Sequence, residues 1–216
     1  MAATRIIAVR HGETAWNVDT RIQGQLDIGL NNRGLWQAQR VGQALADEAI
    51  DHVYSSDLSR AHTTAQAIAQ HASMPSARTV RLHRGLRERG FGTFEGQTWA
   101  AIAEQWPEES RRWKQRDPHF APPGGETPTQ LLARVSRTVE EIAAQHLGEH
   151  IVLVAHGGVM DMLYRLATQQ ELHAPRTWEL GNAAINRLLW TPDALTLVGW
   201  ADTGHLDENT LDESST

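Results

Sequence analysis

The sequence predicts a three-layer α/β/α domain built on a mainly parallel β-sheet. Two runs, Ile6–Val9 and Ile151–Ala155, are continuously apolar, as strands are when helices cover both faces of a parallel sheet. Segments with helical periodicity alternate with the strand candidates, which is the order that parallel crossovers require. The length of 216 residues, with 40% hydrophobic and 21% charged residues, fits one domain of ordinary size.

The elements of the first half follow from these patterns. The first strand, Arg5–Val9, leads into a polar, glycine-containing stretch that runs to about Asn31. Apolar residues at helical spacing then predict a helix with Asn32 as its N-cap. A strand, a helix and a further strand are predicted next, at His52–Ser55, Leu58–Gln70 and Thr79–Leu82.

The second half begins less regularly. Two short helices, Trp99–Gln105 and Glu108–Lys114, are separated by Pro107 and followed by a loop. Thr127 then starts a longer helix, with proline at its first position and a glutamine that completes a capping box. The remaining elements are predicted at Ile151–Ala155 (strand), Val159–Leu166 (helix), and Ala183–Trp190 and Leu195–Trp200 (strands at one edge of the sheet).

Acidic and small residues from Gly204 onwards predict a disordered tail, so the domain is expected to span residues 1–203 and the tail 204–216.

Composition excludes several classes of function. The chain contains no cysteine, which excludes disulfides, zinc bound by thiolates and enzymes with a cysteine nucleophile. The formal net charge of -6 argues against a general nucleic-acid binder. Because no apolar run could span a bilayer and no signal peptide is evident, we expect a cytoplasmic protein without nucleic-acid or membrane partners.

Each of the two apolar strands is followed directly by a histidine and a glycine. Arg10-His11-Gly12 follows the first strand and His156-Gly157-Gly158 follows the second. Ligands of open parallel sheets bind beyond the carboxyl ends of the strands, so we expect both histidines in one pocket. The glycines are expected to allow a sharp turn and a close approach of the ligand.

Two further segments add residues to this pocket. Arg60 lies in the first turn of the helix after the second strand candidate, and Glu88 follows the third. The guanidinium groups of Arg10 and Arg60 have the donor geometry that phosphate oxygens require, and helix N-termini add N–H groups. A phosphoryl group is therefore the expected ligand.

The same residues suggest a reaction. Neighbouring cations would lower the pKa of His11 and keep its ring neutral, as attack on phosphorus requires. A carboxyl group at Glu88 could protonate the leaving oxygen and then deprotonate a water molecule.

These motifs resemble those of the histidine phosphatase superfamily, which has the phosphoglycerate mutase-like fold. The first is Arg10-His11-Gly12-Glu13-Thr14-Ala15-Trp16-Asn17. The later ones follow in the family's order: Arg21-Ile22-Gln23-Gly24, Ser55-Ser56-Asp57-Leu58-Ser59-Arg60-Ala61, Leu86-Arg87-Glu88 and Ala155-His156-Gly157-Gly158. The resemblance covers most of the chain, roughly Arg5 to Leu166.

The resemblance implies a role for each matching residue. His11 is the nucleophile that becomes phosphohistidine, and Glu88 is the proton donor and then the base. No metal is expected. The residues expected to hold the phosphoryl group or to lie near the substrate are Arg10, Asn17, Gln23, Gly24, Arg60, His156 and Gly157.

The segment after Glu88 bears on the type of reaction. Phe91–Gly96 resembles the Phe-Gly-x-x-Glu-Gly turn of the phosphatase branch, which favours hydrolysis of small phosphomonoesters without a cofactor. A phosphoglycerate mutase that depends on 2,3-bisphosphoglycerate is the alternative, since Arg111 and Arg112 could grip a glycerate. Two minor alternatives are an inactive phosphate-binding protein and a metallohydrolase with His11, His156 and Glu88 as ligands.

Three features of the sequence have two interpretations each. A set of basic residues could form a cationic rim for a second anionic group on the substrate, or only a solvated helix face: Arg89, Arg111, Arg112, Lys114 and Arg116. Trp99, Trp106 and Trp113 are expected to pack the insert onto the domain, with an aromatic wall for the leaving group as the alternative. The edge near Ala183–Trp200 could pair in a homodimer.

Overall fold

A six-stranded sheet forms the centre of the computed structural model, which describes residues 2–207. Its strands are β1 (Thr4–Arg10), β2 (His52–Ser55), β3 (Val80–Leu82), β4 (His150–Ala155), β5 (Ile185–Thr191) and β6 (Ala194–Asp202). In space they follow the order β3-β2-β4-β1-β5-β6. The pairs among β1 to β4 are parallel, whereas β5 pairs antiparallel with both β1 and β6. The predicted mainly parallel sheet is confirmed, with the two late strands at one edge.

Helices lie on both faces of this sheet. The α-helices are α1 (Ala15–Val18), α2 (Asn32–Ala44), α3 (Ser59–His71), α4 (Trp99–Gln105), α5 (Pro107–Lys114), α6 (Pro128–Ala143) and α7 (Gly157–Thr168). Short 3-10 turns occur at Pro75–Arg78, Arg84–Leu86, Gly92–Phe94 and Gly204–Leu206. No helix within residues 2–207 has both the length and the apolar composition needed to cross a bilayer.

Alternate residues of β1 pack into different layers. Ile6 and Ala8 belong to a core that includes side chains of α6 and α7, whereas Ile7 and Val9 belong to a second core with side chains of α2 and α3. All four residues are at most 1% exposed. Successive side chains of a strand point to opposite faces, so a strand that is apolar at every position requires a helix layer on each side.

A third, smaller core lies under the segment between β3 and α6. Ile22, Phe94, Ile102 and Phe120 are buried there, with Trp106 and Trp113 packed against them. The expectation that the tryptophans pack the insert onto the domain is confirmed for these two. Trp99 is 42% exposed, and its ring centroid lies 5.1 Å from that of Trp113.

One predicted helix boundary is wrong. The N-cap of α2 is Asn31, whose side-chain oxygen accepts from the Gly34 N–H at 2.8 Å, and not Asn32, which is the first helical residue. Beyond residue 203, Leu206 packs against the α2–α3 core and His205 Nε2 lies 3.0 Å from the Ala183 oxygen, while the predicted domain limits, 1–203, stay a prediction. The rest of the predicted tail, residues 208–216, lies outside the described residues.

Gly12 is required by packing against α2. A Cβ atom at this position would lie 2.4 Å from the carbonyl oxygen of Gly34, in the first turn of that helix. Gly12 does not have a positive φ, so the reason for glycine is contact between two backbone segments and not the sharp turn that the sequence suggested.

We expect Gly12→Ala to lower the free energy of unfolding by about 1–3 kcal/mol, because the added methyl group overpacks a backbone contact that cannot yield easily. Urea denaturation followed by circular dichroism measures the loss. Gly29→Ala is the matched control: a Cβ atom there meets nothing within 4 Å, so its effect should stay within about 0.5 kcal/mol. Equal stabilities of the two variants would contradict the packing argument.

Candidate active site

The parallel pairing of β1 with β4 brings the two motif histidines together. Arg10 lies opposite Ala155 in the register of these strands, and the next residue of each strand's sequence is His11 or His156. The His11 N–H donates to the Ala155 carbonyl at 3.0 Å. The two imidazole ring centroids are 5.2 Å apart, with the ring planes inclined at 60°. The predicted common pocket is therefore present at the carboxyl end of the sheet.

The surroundings of His11 select one tautomer of its ring. The side chain is 3% exposed, and Nδ1 lies 2.7 Å from the carbonyl oxygen of Gly12. A carbonyl oxygen can only accept a hydrogen bond, so Nδ1 must carry the proton. The lone pair of the neutral ring is then on Nε2.

Burial and charge keep both rings neutral. The pKa of His11 lies well below its ordinary value, chiefly because burial disfavours the imidazolium form and also because Arg60 and Arg10 are cations nearby. Burial is again the main reason that the pKa of His156 is well below its usual range, followed by Arg60, His11 and Arg10. The predicted direction for His11 is the one found, although burial contributes more than the cations.

Backbone carbonyls hold the two arginines in place. Arg60 lies in the first turn of α3 and is 1% exposed. Its Nη1 donates to the Leu26 oxygen at 2.8 Å and its Nη2 to the Gly24 oxygen at 2.7 Å. Arg10 donates from Nη1 to the Leu180 oxygen. Each guanidinium keeps a buried Nε–H with no acceptor among the described residues, and so retains a donor for an anion.

Ser56 orients His156. Its hydroxyl oxygen accepts from the Leu58 N–H at 3.3 Å and lies 2.8 Å from His156 Nε2. With the hydroxyl hydrogen directed to Nε2, the proton of the neutral ring is on Nδ1. In that tautomer Nδ1, which is buried and has no partner among residues 2–207, can donate to an anion in the pocket. Ser56 belongs to the motif that contains Arg60, but the sequence did not predict its contact with His156.

Glu88 is held by backbone N–H groups beside the histidines. Its Oε1 accepts from the Arg89 N–H at 2.7 Å, and both carboxylate oxygens lie 3.1 Å from the Gly158 nitrogen, near the start of α7. A Cβ atom at residue 158 would lie 2.3 Å from Oε1, so the second glycine of the His-Gly-Gly motif makes room for this carboxylate.

The other predicted residues occupy supporting positions. Asn17 Oδ1 accepts from the Thr14 N–H at 3.0 Å as part of the capping box of α1. Gln23 is 8% exposed, and the Gly24 carbonyl binds Arg60. Gly157 is the first residue of α7, and a Cβ atom there would lie 3.5 Å from Arg10 Nε.

Two residues of the loop before β5 contact the site, although neither belongs to a sequence motif. Asn182 Nδ2 donates to the His11 oxygen at 3.0 Å and to Asn17 Oδ1 at 3.3 Å. The second contact is that of the Leu180 carbonyl with Arg10. No sequence pattern distinguishes these two residues, and only the fold brings them to the histidines.

A cleft of about 640 Å³ opens beside these residues. Arg10, Glu88 and Gly157 line it, whereas His11, His156 and Arg60 are not among its lining residues. Trp99 and Trp113 form part of the wall, which supports the alternative of an aromatic surface facing the leaving group.

Only part of the predicted cationic rim faces the cleft. The members of that rim that do so are Arg89, Lys114 and Arg116, and two arginines that were not predicted, Arg165 and Arg176, line the cleft with them. Arg89 is buried, with its guanidinium carbon 4.6 Å from the Trp113 ring centroid, and burial lowers its pKa to about 10. Arg111 and Arg112 pair instead with Glu108 and Asp117 at 2.5 and 2.6 Å and do not line the cleft.

The arrangement does not suit a metal held by His11, His156 and Glu88. Within residues 2–207, the only group of three histidine or acidic side chains with ligand atoms within 4.8 Å of one another is His52, His146 and Glu149. That group lies elsewhere in the fold.

Several known proteins are similar to this chain over nearly its whole length. A phosphoglycerate mutase-like protein 4 of Arabidopsis thaliana is 39% identical over 206 residues, covering 94% of this chain and 87% of its own. A metal-independent phosphoserine phosphatase of the same plant is 38% identical over 205 residues, covering 94% and 83%. The structure of a mycobacterial glucosyl-3-phosphoglycerate phosphatase in complex with VO3 superposes with a TM-score of 0.82 at 31% identity, covering 92% of this chain and 99% of that one.

The family profile described as histidine phosphatase superfamily (branch 1) matches residues 6–203. This range includes every residue placed above in the site. The chain therefore belongs to the histidine phosphatase superfamily.

Proposed function

We propose that this protein is a metal-independent phosphatase that hydrolyses small phosphomonoesters through a phosphohistidine on His11. One observation carries the proposal: a neutral, buried His11 has its lone pair on Nε2 and lies among Arg10, Arg60 and His156. A neutral nitrogen nucleophile surrounded by preorganised donors is what phosphoryl transfer needs.

In the first step, His11 Nε2 attacks phosphorus and the bond from phosphorus to the ester oxygen breaks. Glu88 supplies the proton that the leaving alkoxide takes up. In the second step, a water molecule gives its proton to Glu88 and attacks the phosphohistidine, so that the P–N bond breaks and inorganic phosphate leaves. Arg10, Arg60 and His156 would hold the phosphoryl oxygens in both steps.

The cleft suggests the rest of the substrate. Lys114, Arg116 and Arg176 line it, and none of them has a salt-bridge partner in the part of the chain that the structure describes. Phosphoserine and glucosyl-3-phosphoglycerate, named for two similar proteins, each carry a carboxylate besides the phosphate. We infer a phosphoester of a small carboxylic acid as the substrate class.

Purified protein is expected to release inorganic phosphate from phosphoserine and 3-phosphoglycerate, with no effect of EDTA. His11→Ala should lower kcat by about a thousandfold or more, because the residue that forms the covalent intermediate is gone. Acid quenching with labelled substrate should trap an acid-labile phosphoenzyme in the wild type and not in the variant. Isomerisation of phosphoglycerate that requires 2,3-bisphosphoglycerate would overturn the phosphatase proposal in favour of the mutase.

Lys114→Ala and Arg176→Ala are expected to raise KM for phosphoserine about fivefold each, the effect of about 1 kcal/mol of lost ion pairing at an exposed site. KM for 4-nitrophenyl phosphate, which has no carboxylate, should not change. Arg111→Ala is the matched control, because this arginine pairs with Glu108 outside the cleft. An equal rise for both substrates would argue against carboxylate recognition.

The protonation of His11 can be followed directly by ¹⁵N NMR of the imidazole. Because its pKa lies well below 6.5, the ring should remain neutral as the pH falls through 6.5 and gain its proton only at lower pH. Arg60→Gln removes a nearby cation, so it should raise the titration midpoint of His11. A midpoint above 6.5 in the wild type would be inconsistent with the neutral nucleophile.

A further inference from the structure

A second cluster of titratable side chains lies at the opposite end of the sheet. His52 is the first residue of β2, and His146 and Glu149 belong to the turn between α6 and β4. His52 lies at the start of its strand, and His146 and Glu149 lie just before theirs, whereas His11 and His156 follow their strands. The proposed catalytic steps use none of them. We refer to His52, His146 and Glu149 as the amino-end cluster.

The amino-end cluster converges on one carboxylate oxygen. His146 Nδ1 lies 2.6 Å and His52 Nε2 3.4 Å from Glu149 Oε2, and all three ligand atoms lie within 4.8 Å of one another. Ligand atoms of a tetrahedral zinc ion are about 3.3 Å apart, given bond lengths near 2.0 Å. The distance between His52 Nε2 and Glu149 Oε2 already matches this value. The shorter distance between His146 Nδ1 and Oε2 can lengthen, because the Glu149 side chain is half-exposed and can move away from His146.

Neighbouring groups hold the ligands in this arrangement. Tyr54 OH lies 2.8 Å from His146 Nε2 and accepts from Arg81 Nη1 at 2.9 Å. An outer partner of this kind fixes the ring and leaves Nδ1 for a metal. The turn is also anchored through its backbone, since Thr4 Oγ1 donates to the His146 oxygen at 2.9 Å and the Arg5 N–H to the Glu149 oxygen at 3.0 Å.

We propose that the amino-end cluster binds one divalent transition-metal ion, with Zn²⁺ as the best match and water in the fourth position. A set of two imidazoles and one carboxylate favours Zn²⁺ over Mg²⁺ and Ca²⁺, because those two ions prefer oxygen ligands. The ion would tie the turn before β4 to the start of β2 and so stabilise this end of the sheet. It has no part in the phosphatase reaction.

Titration of EDTA-treated protein with Zn²⁺ in a calorimeter tests the proposal, and Co²⁺ as a spectroscopic probe identifies the site. We expect one ion per chain, visible bands typical of tetrahedral Co²⁺, and a higher Tm with Zn²⁺. Glu149→Gln and His52→Gln should each weaken binding by at least about tenfold. Both variants should keep wild-type phosphatase activity, which separates this result from the outcome for the proposed function.

His173→Gln is the matched control. His173 Nε2 lies 3.1 Å from Glu171 Oε2 in an exposed pair that belongs to no three-residue cluster among residues 2–207. This variant should bind Zn²⁺ like the wild type. The proposal is overturned if Zn²⁺ does not bind, if Glu149→Gln binds it unchanged, or if His156→Gln rather than His52→Gln abolishes binding.

Discussion

The active site depends on the parallel pairing of β1 with β4. Because Arg10 lies opposite Ala155, the residues that follow the two strands, His11 and His156, must meet at the same edge. The hydrogen bond from His11 to the Ala155 oxygen extends this pairing by one residue. A slip by one residue would turn the apolar side chains of β1 to the wrong layers, so the packing of both cores also maintains the distance between the histidines.

The electrostatics of the site follow from the contacts that hold its arginine and histidine side chains. Carbonyl oxygens bind one edge of Arg60 and one Nη group of Arg10, which fixes the guanidiniums without neutralising them. Their charge and the burial of the rings disfavour imidazolium at His11 and His156. The result is a pocket in which His11, the proposed nucleophile, is neutral while its surroundings are cationic. Such a pocket matches the charge of a phosphoryl group before the group arrives, so the proposed reaction would need little reorganisation.

The insert between β3 and α6 contributes aromatic and cationic side chains to the cleft beside the histidines. Its own small core of aromatic and aliphatic side chains supports Trp113, and the Arg89 guanidinium lies over that ring. Lys114 and Arg116 at the end of α5 then reach the cleft. His11, Arg60 and His156 lie at the ends of strands or at the start of the helix that follows, whereas Lys114 and Arg116, two of the three cations proposed to select a substrate, lie on the insert.

Much of the fold follows from sequence alone. The continuous apolar runs at β1 and β4 require helices on both faces, and Thr127, Pro128 and Gln130 specify the start of α6, where the predicted capping box is present. The motif residues His11, Arg60, Glu88 and His156 could be identified because each follows a recognisable strand or begins a helix. Local chemistry is sufficient for such features, since periodicity and capping depend on near neighbours in the chain.

Other features required the tertiary structure. Which of the basic residues near α5 face the cleft depends on local ion pairs, so Arg111 and Arg112 turn to Glu108 and Asp117 while Arg176, far along the chain, joins Lys114. Asn182 and the carbonyl of Leu180 reach the site only because β5 pairs antiparallel with β1. The need for glycine at position 12 comes from the backbone of Gly34. Sequence determined which elements form and which residues are the candidates for the chemistry. Contacts between distant segments decided how those residues are held, because such contacts leave no local pattern.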